Sequence, residues 1–368
     1  MARRLAQAAA LYLAATSAAQ AYELLWNVAG ADGIDLTPFP LIKQGQLELF
    51  TTYLGMLPVI QASGRWCNGG LPQLANVTRH VAKVRRDVLA RISPSFGGLV
   101  VVDYEAWTGS WNSTQELYRN ASIALAAVEN PSLPPSQLEG VAIRTFNKAA
   151  QAFLVATLDA VRAACPSCRV GLYGYPIRAY WNGYCSPSGP RLRNESNSML
   201  PVFAASDALF PSIYQFYPKE SRARNKQYVD CNVGEAVRLS KLFSPPKPVY
   251  AYGWPRYHTG SGALLDSSDT DLEFAEPGRI TGVSGGVIWG DAAGNATFVA
   301  ELQAWMQTNA DTFTKQPAGA AAPAAPEPEA RFGDTGTGLS QAAVADIARR
   351  ARRQLAPSFP PPWQACGL

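Results

Sequence analysis

GGLVVVDYEAW, residues 97–107, is an apolar run that stops abruptly at two acids, Asp103 and Glu105. Leu99, Val100, Val101 and Val102 form too short a run for a helix. They are rich in β-branched side chains and follow a Gly-Gly break, so the stretch predicts a strand buried on both faces. Side chains alternate across a strand, so Asp103 and Glu105 point the same way, one pleat repeat apart. Two carboxyls side by side at the end of a buried strand are costly. Crowding raises the proton affinity of one of them, which is how an acid catalyst is kept protonated near neutral pH. The plainer reading is a strand-end Asp capping a turn beside a solvated Glu.

Working outward, 368 residues with 47% hydrophobic and 16% charged content describe a globular chain with a substantial core. The net charge is +4, and no Lys/Arg cluster interleaves with aromatics, so nothing points to nucleic acid. Arg3 and Arg4 precede an Ala/Leu-rich stretch from Leu5 to Ala15, and Ala19-Gln20-Ala21 supplies a small-x-small cleavage site. Residues 1–21 therefore read as a secretory signal peptide, with a mature chain starting near Tyr22 and a destination outside the cell or in the secretory lumen. No later segment approaches the roughly 20 apolar residues of a membrane span. Sequons at Asn76, Asn112, Asn120, Asn194 and Asn295 are glycosylation candidates. The 6 cysteines, Cys67, Cys165, Cys168, Cys185, Cys231 and Cys366, would sit in an oxidising compartment.

From 22 to 314 the chain alternates strand-like and helix-like segments. Strands are expected at 23–28, at the acid-bearing run, and at 169–173, 208–214, 248–252 and 286–289. Helices are expected at 74–92, 137–164, 228–242 and 297–308. Repeated βα units of this number in one uninterrupted region predict a single-domain, distorted (β/α) TIM-like barrel. Its site would lie at the C-terminal ends of the strands, where Asp103, Glu105, Tyr173, Tyr214 and Trp289 would converge. For the aromatics taken singly, ordinary core packing is the alternative. Residues 315–338 read as a Pro/Ala-rich linker, and 339–368 as a basic tail with a short helix.

Other chemistries find little footing. His80 and His258 are the 2 histidines, the first read as a surface residue of an amphipathic helix and the second as part of a loop. There is no G-x-S-x-G elbow, no His/Cys/Asp grouping with metal-ligand spacing and no phosphate-binding glycine fingerprint, so neither a metal nor a cofactor is implied. Cys165-Pro166-Ser167-Cys168 falls at the end of a helix rather than at its start, and reads as a structural, local disulfide. What remains is carboxylate chemistry in an aromatic-lined barrel mouth, the usual equipment for glycoside hydrolysis.

The chain resembles the hyaluronidases, glycoside hydrolase family 56. The motifs run in order: LWNV at 25–28, FTTYLGMLP at 50–58, NGGLPQLANVT at 68–78, VVVDYEAW at 100–107 and LYRNAS at 117–122. Then follow GLYGYP at 171–176, LFPSIY at 209–214, PVYAY at 248–252 and GGVIWGD at 285–291. The resemblance implies a retaining endo-β-N-acetylhexosaminidase acting on hyaluronan or chondroitin-like glycosaminoglycan, with the substrate's own acetamido group as nucleophile. It implies Glu105 as proton donor and later base, Asp103 as the group that orients the acetamide, and Tyr173, Tyr214 and Trp289 as its substrate-binding pocket. Two other readings share this barrel: a catalytically weak glycan-binding or adhesion protein, and a chitinase-like hydrolase, against which the absence of a D-x-x-D-x-D-x-E run counts.

The chain departs from the family at three points. Thr108 stands where the family carries an Arg, which removes a cation near the site. The family's cysteine after the Trp-Asn pair is absent at Ala29-Gly30-Ala31. Cys185 matches a family cysteine without its usual neighbour, leaving Cys231 or Cys67 as its partner.

Overall fold

The structure, a computed structural model, describes residues 21–318 apart from 182, 259–261, 293 and 294. The expected signal peptide, most of the linker, the basic tail and Cys366 lie outside the described residues. In chain order the strands are β1 (Glu23–Ala29), β2 (Ile42–Lys43), β3 (Leu47–Phe50), β4 (Val59–Ile60), β5 (Trp66–Cys67), β6 (Leu99–Val102), β7 (Arg169–Leu172), β8 (Tyr250–Gly253) and β9 (Gly285–Asp291). The helices are α1 (Val77–Arg91), α2 (Glu116–Glu129), α3 (Pro135–Ala164), α4 (Gly189–Ser198), α5 (Leu200–Ala205), α6 (Arg222–Ser240), α7 (Ser267–Phe274), α8 (Ala296–Thr308) and α9 (Ala310–Thr314).

The predicted strand that ends at the two acids is β6, and all four of its residues are buried. It lies between β3 and β7 in a parallel ladder whose last rungs pair Phe50 with Val102 and Val102 with Leu172. A second parallel sheet runs β2-β1-β9-β8, with Asn27 opposite Trp289. Isolated bridges through residues 209–212 join β7 to β8, and β1 lies beside β3 on the other side, so the two sheets curve into a distorted (β/α) barrel. Ladder hydrogen bonds do not close the ring between β1 and β3.

The stretch 208–214, expected to be a regular strand, is instead a bent one. Pro211 has no N–H to give a ladder, so the pairing is carried by its neighbours: Leu209 N donates to Pro248 O at 2.9 Å and Ile213 N to Tyr252 O at 3.0 Å. Gly171 lets β7 approach it closely, since a Cβ there would meet the Ala208 carbonyl at 2.4 Å.

Helices cover the outside for reasons visible in their sequences. Asn76 caps α1, its Oδ1 accepting from Arg79 N at 3.0 Å. His80, Val84 and Val88 then recur every four residues on the face that packs against α3. The 30-residue α3 starts with Pro135 at a position needing no N–H, and its buried stripe from Leu138 to Ala164 joins the main core. It ends at Cys165, which forms the predicted local disulfide with Cys168. Cys185 pairs with Cys231, settling the open choice between Cys231 and Cys67. Tyr22 and Gln316 hold the two ends of the described chain together, with Tyr22 N donating to Gln316 Oε1 at 3.1 Å and Gln316 Nε2 to Tyr22 O at 3.0 Å. Among the described residues no helix is long and apolar enough to cross a membrane.

One expectation fails outright. His80 is not a surface residue but is completely buried, with Nδ1 accepting from Met56 N at 2.8 Å and Nε2 2.8 Å from Thr157 Oγ1. Polarity suggested the wrong face, because an imidazole with both nitrogens satisfied by protein groups can be buried. Burial pushes its pKa down to about 3. Between the unfolded value near 6.5 and that figure, the unfolded chain binds a proton that the folded one refuses, so stability is lost as pH falls through this window. Denaturant unfolding at pH 6.5 and pH 5 is expected to show a loss of about 2 kcal/mol from this group. The same measurement on His80→Gln is expected to lack that component of the slope.

Candidate active site

The C-terminal strand ends surround a cavity of about 210 Å³. All five residues singled out in the sequence line it: Asp103 and Glu105 after β6, Tyr173 after β7, Tyr214 at the end of the bent segment, and Trp289 within β9. Five further residues share the lining: Leu49 on β3, Arg178, Tyr252 on β8, Trp254 just beyond it, and His258. Tyr252 and Trp254 obey the same strand-end rule that picked out Tyr214 and were readable from PVYAYGW. Arg178 carried no such signal, because it lies on the irregular chain after β7.

The two acids are placed differently. Asp103 is held by its backbone, its N–H donating to Phe50 O at 2.8 Å, and its carboxyl turns inward towards Tyr252. Glu105 is exposed to the cavity. A hydrogen bond joins the two side chains. Burial first, and then the charge of Glu105, push the Asp103 carboxyl up to about 8. At neutral pH the Asp103 carboxyl therefore keeps its proton.

Aromatic rings wall the rest. Tyr214 and Trp289 stack at 5.8 Å with 18° between planes, and Trp254 meets Trp289 edge-on at 5.5 Å. Tyr173 crosses Tyr252 at 5.0 Å and lies 6.1 Å from Tyr214. The Tyr173 hydroxyl donates to Ser212 Oγ at 3.2 Å and is also hydrogen-bonded to the Tyr214 phenol. Burial drives the Tyr173 pKa up to about 12 and that of Tyr214 well beyond the usual phenol range. Both phenols are thus neutral hydrogen-bonding groups at any working pH. Flat rings around two coupled carboxyls suit a pyranose ring with a polar substituent, one face stacked and the substituent directed at the acids.

Thr108 does not line the cavity. Its Oγ1 donates to Ser110 O at 2.8 Å, and its N–H donates to Thr114 Oγ1 at 3.2 Å, so the side chain serves its own loop.

A buried, partly protonated Asp103 opposes folding. Between about pH 4 and pH 8 the unfolded chain has released a proton that the folded chain retains, so stability falls as pH rises across that window. Asp103→Asn removes this opposition. It is expected to melt at a higher temperature than wild type at pH 8, by a margin that shrinks towards pH 4 in thermal unfolding scans.

Comparison with known proteins places this barrel. The family model described as hyaluronidase matches residues 38–322. Human hyaluronidase-1 is 34% identical over 253 residues, covering 65% of this chain and 57% of that protein. Hyaluronidase PH-20 of Cavia porcellus is 32% identical over 254 residues, covering 64% of this chain and 46% of that protein. The chain thus spans about half the length of these curated relatives. Among solved structures, bee venom hyaluronidase superposes with a TM-score of 0.70 at 23% identity, over 78% of this chain and 98% of that one. A second structure, bee venom hyaluronidase in complex with a hyaluronic acid tetramer, gives a TM-score of 0.68 at 23% identity over 78% and 96%. The family match spans most of the chain, including every residue of the cavity, and the shared fold agrees with it: this chain belongs to the hyaluronidase family.

Proposed function

We propose that the protein is a retaining endo-β-N-acetylhexosaminidase that hydrolyses hyaluronan or chondroitin-like glycosaminoglycan with the substrate's acetamido group as nucleophile. The observation that carries this reading is the hydrogen-bonded Asp103–Glu105 pair at the floor of an aromatic cleft, within a hyaluronidase-family barrel. The solved relative bound to a hyaluronic acid tetramer points to the same substrate class. Family membership favours neither a pure glycan-binding module nor a chitinase-like enzyme.

Glu105 is the acid because it is the more exposed of the two carboxyls that line the cavity. When the substrate amide approaches Asp103, its N–H favours the anionic carboxylate, and the Asp103 proton moves to Glu105. Glu105 passes that proton to the glycosidic oxygen as the bond from oxygen to the anomeric carbon breaks. The acetamido oxygen attacks the anomeric carbon and forms an oxazolinium ring, whose positive charge faces Asp103. Glu105, now a carboxylate, takes a proton from water as that water opens the ring. Two inversions give net retention. Tyr173 and Tyr214 supply hydroxyls to hold the acetamide, and Trp289 packs its methyl group. No cofactor is needed.

Export through the secretory pathway fits this substrate. Both described disulfides support it, as do the exposed sequon asparagines Asn112, Asn194 and Asn295. Asn76 and Asn120 are half-buried, and the Asn120 Nδ2 that would carry a glycan donates to Glu116 Oε1 at 3.4 Å.

Replacing Glu105 by Gln is expected to lower kcat on hyaluronan by about 10²–10⁴-fold with little change in KM, measured by reducing-end release. An unaltered rate would sink the mechanism. Proton NMR of the first products is expected to show the β anomer, and an initial α anomer would exclude acetamide participation.

A further inference from the structure

The structure assigns a second task to the cleft: we propose that Arg178 is the specificity-determining residue that receives the uronate carboxylate of the polymer. This deepens the reading above and rests on it for the substrate class. Arg178 lines the same cavity as Asp103 and Glu105, on the chain that leaves β7 through Tyr173. It and Glu105 both act electrostatically on Tyr173 and on His258, so the cation and the acid pair share one small space.

What makes it a receptor rather than a structural cation is its set of partners. None of the salt bridges among the described residues includes it. Its Nη1 reaches Ser212 Oγ at 3.3 Å, and the neutral phenols of Tyr228 and Tyr180 are its other hydrogen-bonding neighbours. The head is fixed by two rings, with the guanidinium carbon 5.0 Å from the Tyr180 centroid and 5.3 Å from that of Phe216. The buried acid Glu273 lies within electrostatic reach but makes no salt bridge to it, its two carboxyl oxygens taking the Gln215 and Trp254 amides instead. A pre-positioned planar fork whose partners are neutral hydroxyls and rings, and which is in no salt bridge, suits bidentate capture of a carboxylate. Thr108, at the position where the resemblance led one to expect an Arg, is turned into its own loop and cannot supply that charge.

In hyaluronan each N-acetylhexosamine neighbours a uronate, so a carboxylate must lie within one sugar of the acetamide held at Asp103. Arg178 is the arginine of the cavity lining, on a different element from the acids.

The test separates binding from turnover. Full-length Glu105→Gln protein is titrated calorimetrically with a hyaluronan hexasaccharide and with its carboxyl-reduced, uncharged counterpart. The same pair of ligands is then applied to Glu105→Gln carrying Arg178→Ala or Arg178→Lys. With Arg178 present, the charged ligand is expected to bind at least about tenfold more tightly, as suits a charge-assisted contact. That preference is expected to fall to about one with Ala and to be partly kept with Lys. Both ligands are read on the same protein, so any loss of folded fraction cancels in the ratio. An undiminished preference in the Arg178→Ala protein overturns the assignment, as does no preference, or no hexasaccharide binding, with Arg178 intact. Failure of wild-type protein to cleave hyaluronan would defeat the proposed activity without moving this ratio.

Discussion

A carboxyl buried beside another carboxyl is the constraint around which this barrel is arranged. Asp103 sits where water is scarce, one residue from an exposed acid, and its proton is retained to about pH 8. Such a group persists only where its surroundings over-determine its position. The parallel ladder does this from both sides, because β3 and β7 clamp β6 up to its last residue and the Phe50 carbonyl takes the Asp103 N–H. Tyr252 closes the space behind it, with its own hydroxyl accepting from Asn27 Nδ2 at 3.4 Å. Strands from both sheets therefore meet at one side chain, and the curvature of the barrel brings them there.

A second buried acid holds the opposite wall. Glu273, on α7, accepts from Gln215 N at 2.9 Å and from Trp254 N. Those amides belong to the chain immediately after Tyr214 and immediately after β8, so one carboxyl sets the positions of two wall aromatics. The helix that carries it is fixed in turn. Asp266 caps α7 by accepting from Asp269 N at 2.9 Å, and Asp269 accepts from Asn225 and from the Tyr257 hydroxyl, each at 2.8 Å. The stack of Tyr214, Trp289 and Trp254 is thereby held by polar groups behind it as well as by ring contact in front. Such preorganisation is what a site needs if its binding energy is to orient a substrate rather than assemble the pocket.

The barrel and the converging side chains were legible because parallel strands announce themselves by short apolar runs with polar or aromatic ends. Long α3 was legible for a related reason: a continuous stripe over eight turns leaves little doubt about its phase. Strands β2, β4 and β5 have two residues each and carry no periodic signal. Helix α2 was missed although it contains LYRNAS, because its buried residues run nearly continuously from Ser122 to Ala127 and blur the period. His80 was misplaced since polarity says nothing of whether Met56 and Thr157 wait on either side of the ring. Arg178 and Glu273 owe their roles to contacts over long sequence separation, which no local pattern encodes.

The division of labour between elements explains how the cleft tolerates Thr108. The acid pair and its aromatic walls are tied to strand ends, where a backbone shift would disturb ladder hydrogen bonds and buried carboxyls together. The chain beyond the acids, by contrast, is closed by local bonds among Thr108, Ser110 and Thr114, with Glu195 accepting from Ser110 and Ser113 outside it. A cation on that loop is one way to put positive charge in the cleft, and a cation on the loop after β7 is another. Neither touches the groups that fix Asp103. A cation that recognises charge is therefore separable in this barrel from the acids, and either loop can physically supply it. The requirement is that its side chain be held by rings rather than neutralised by an acid, and stacking of Arg178 on Tyr180 and Phe216 meets it.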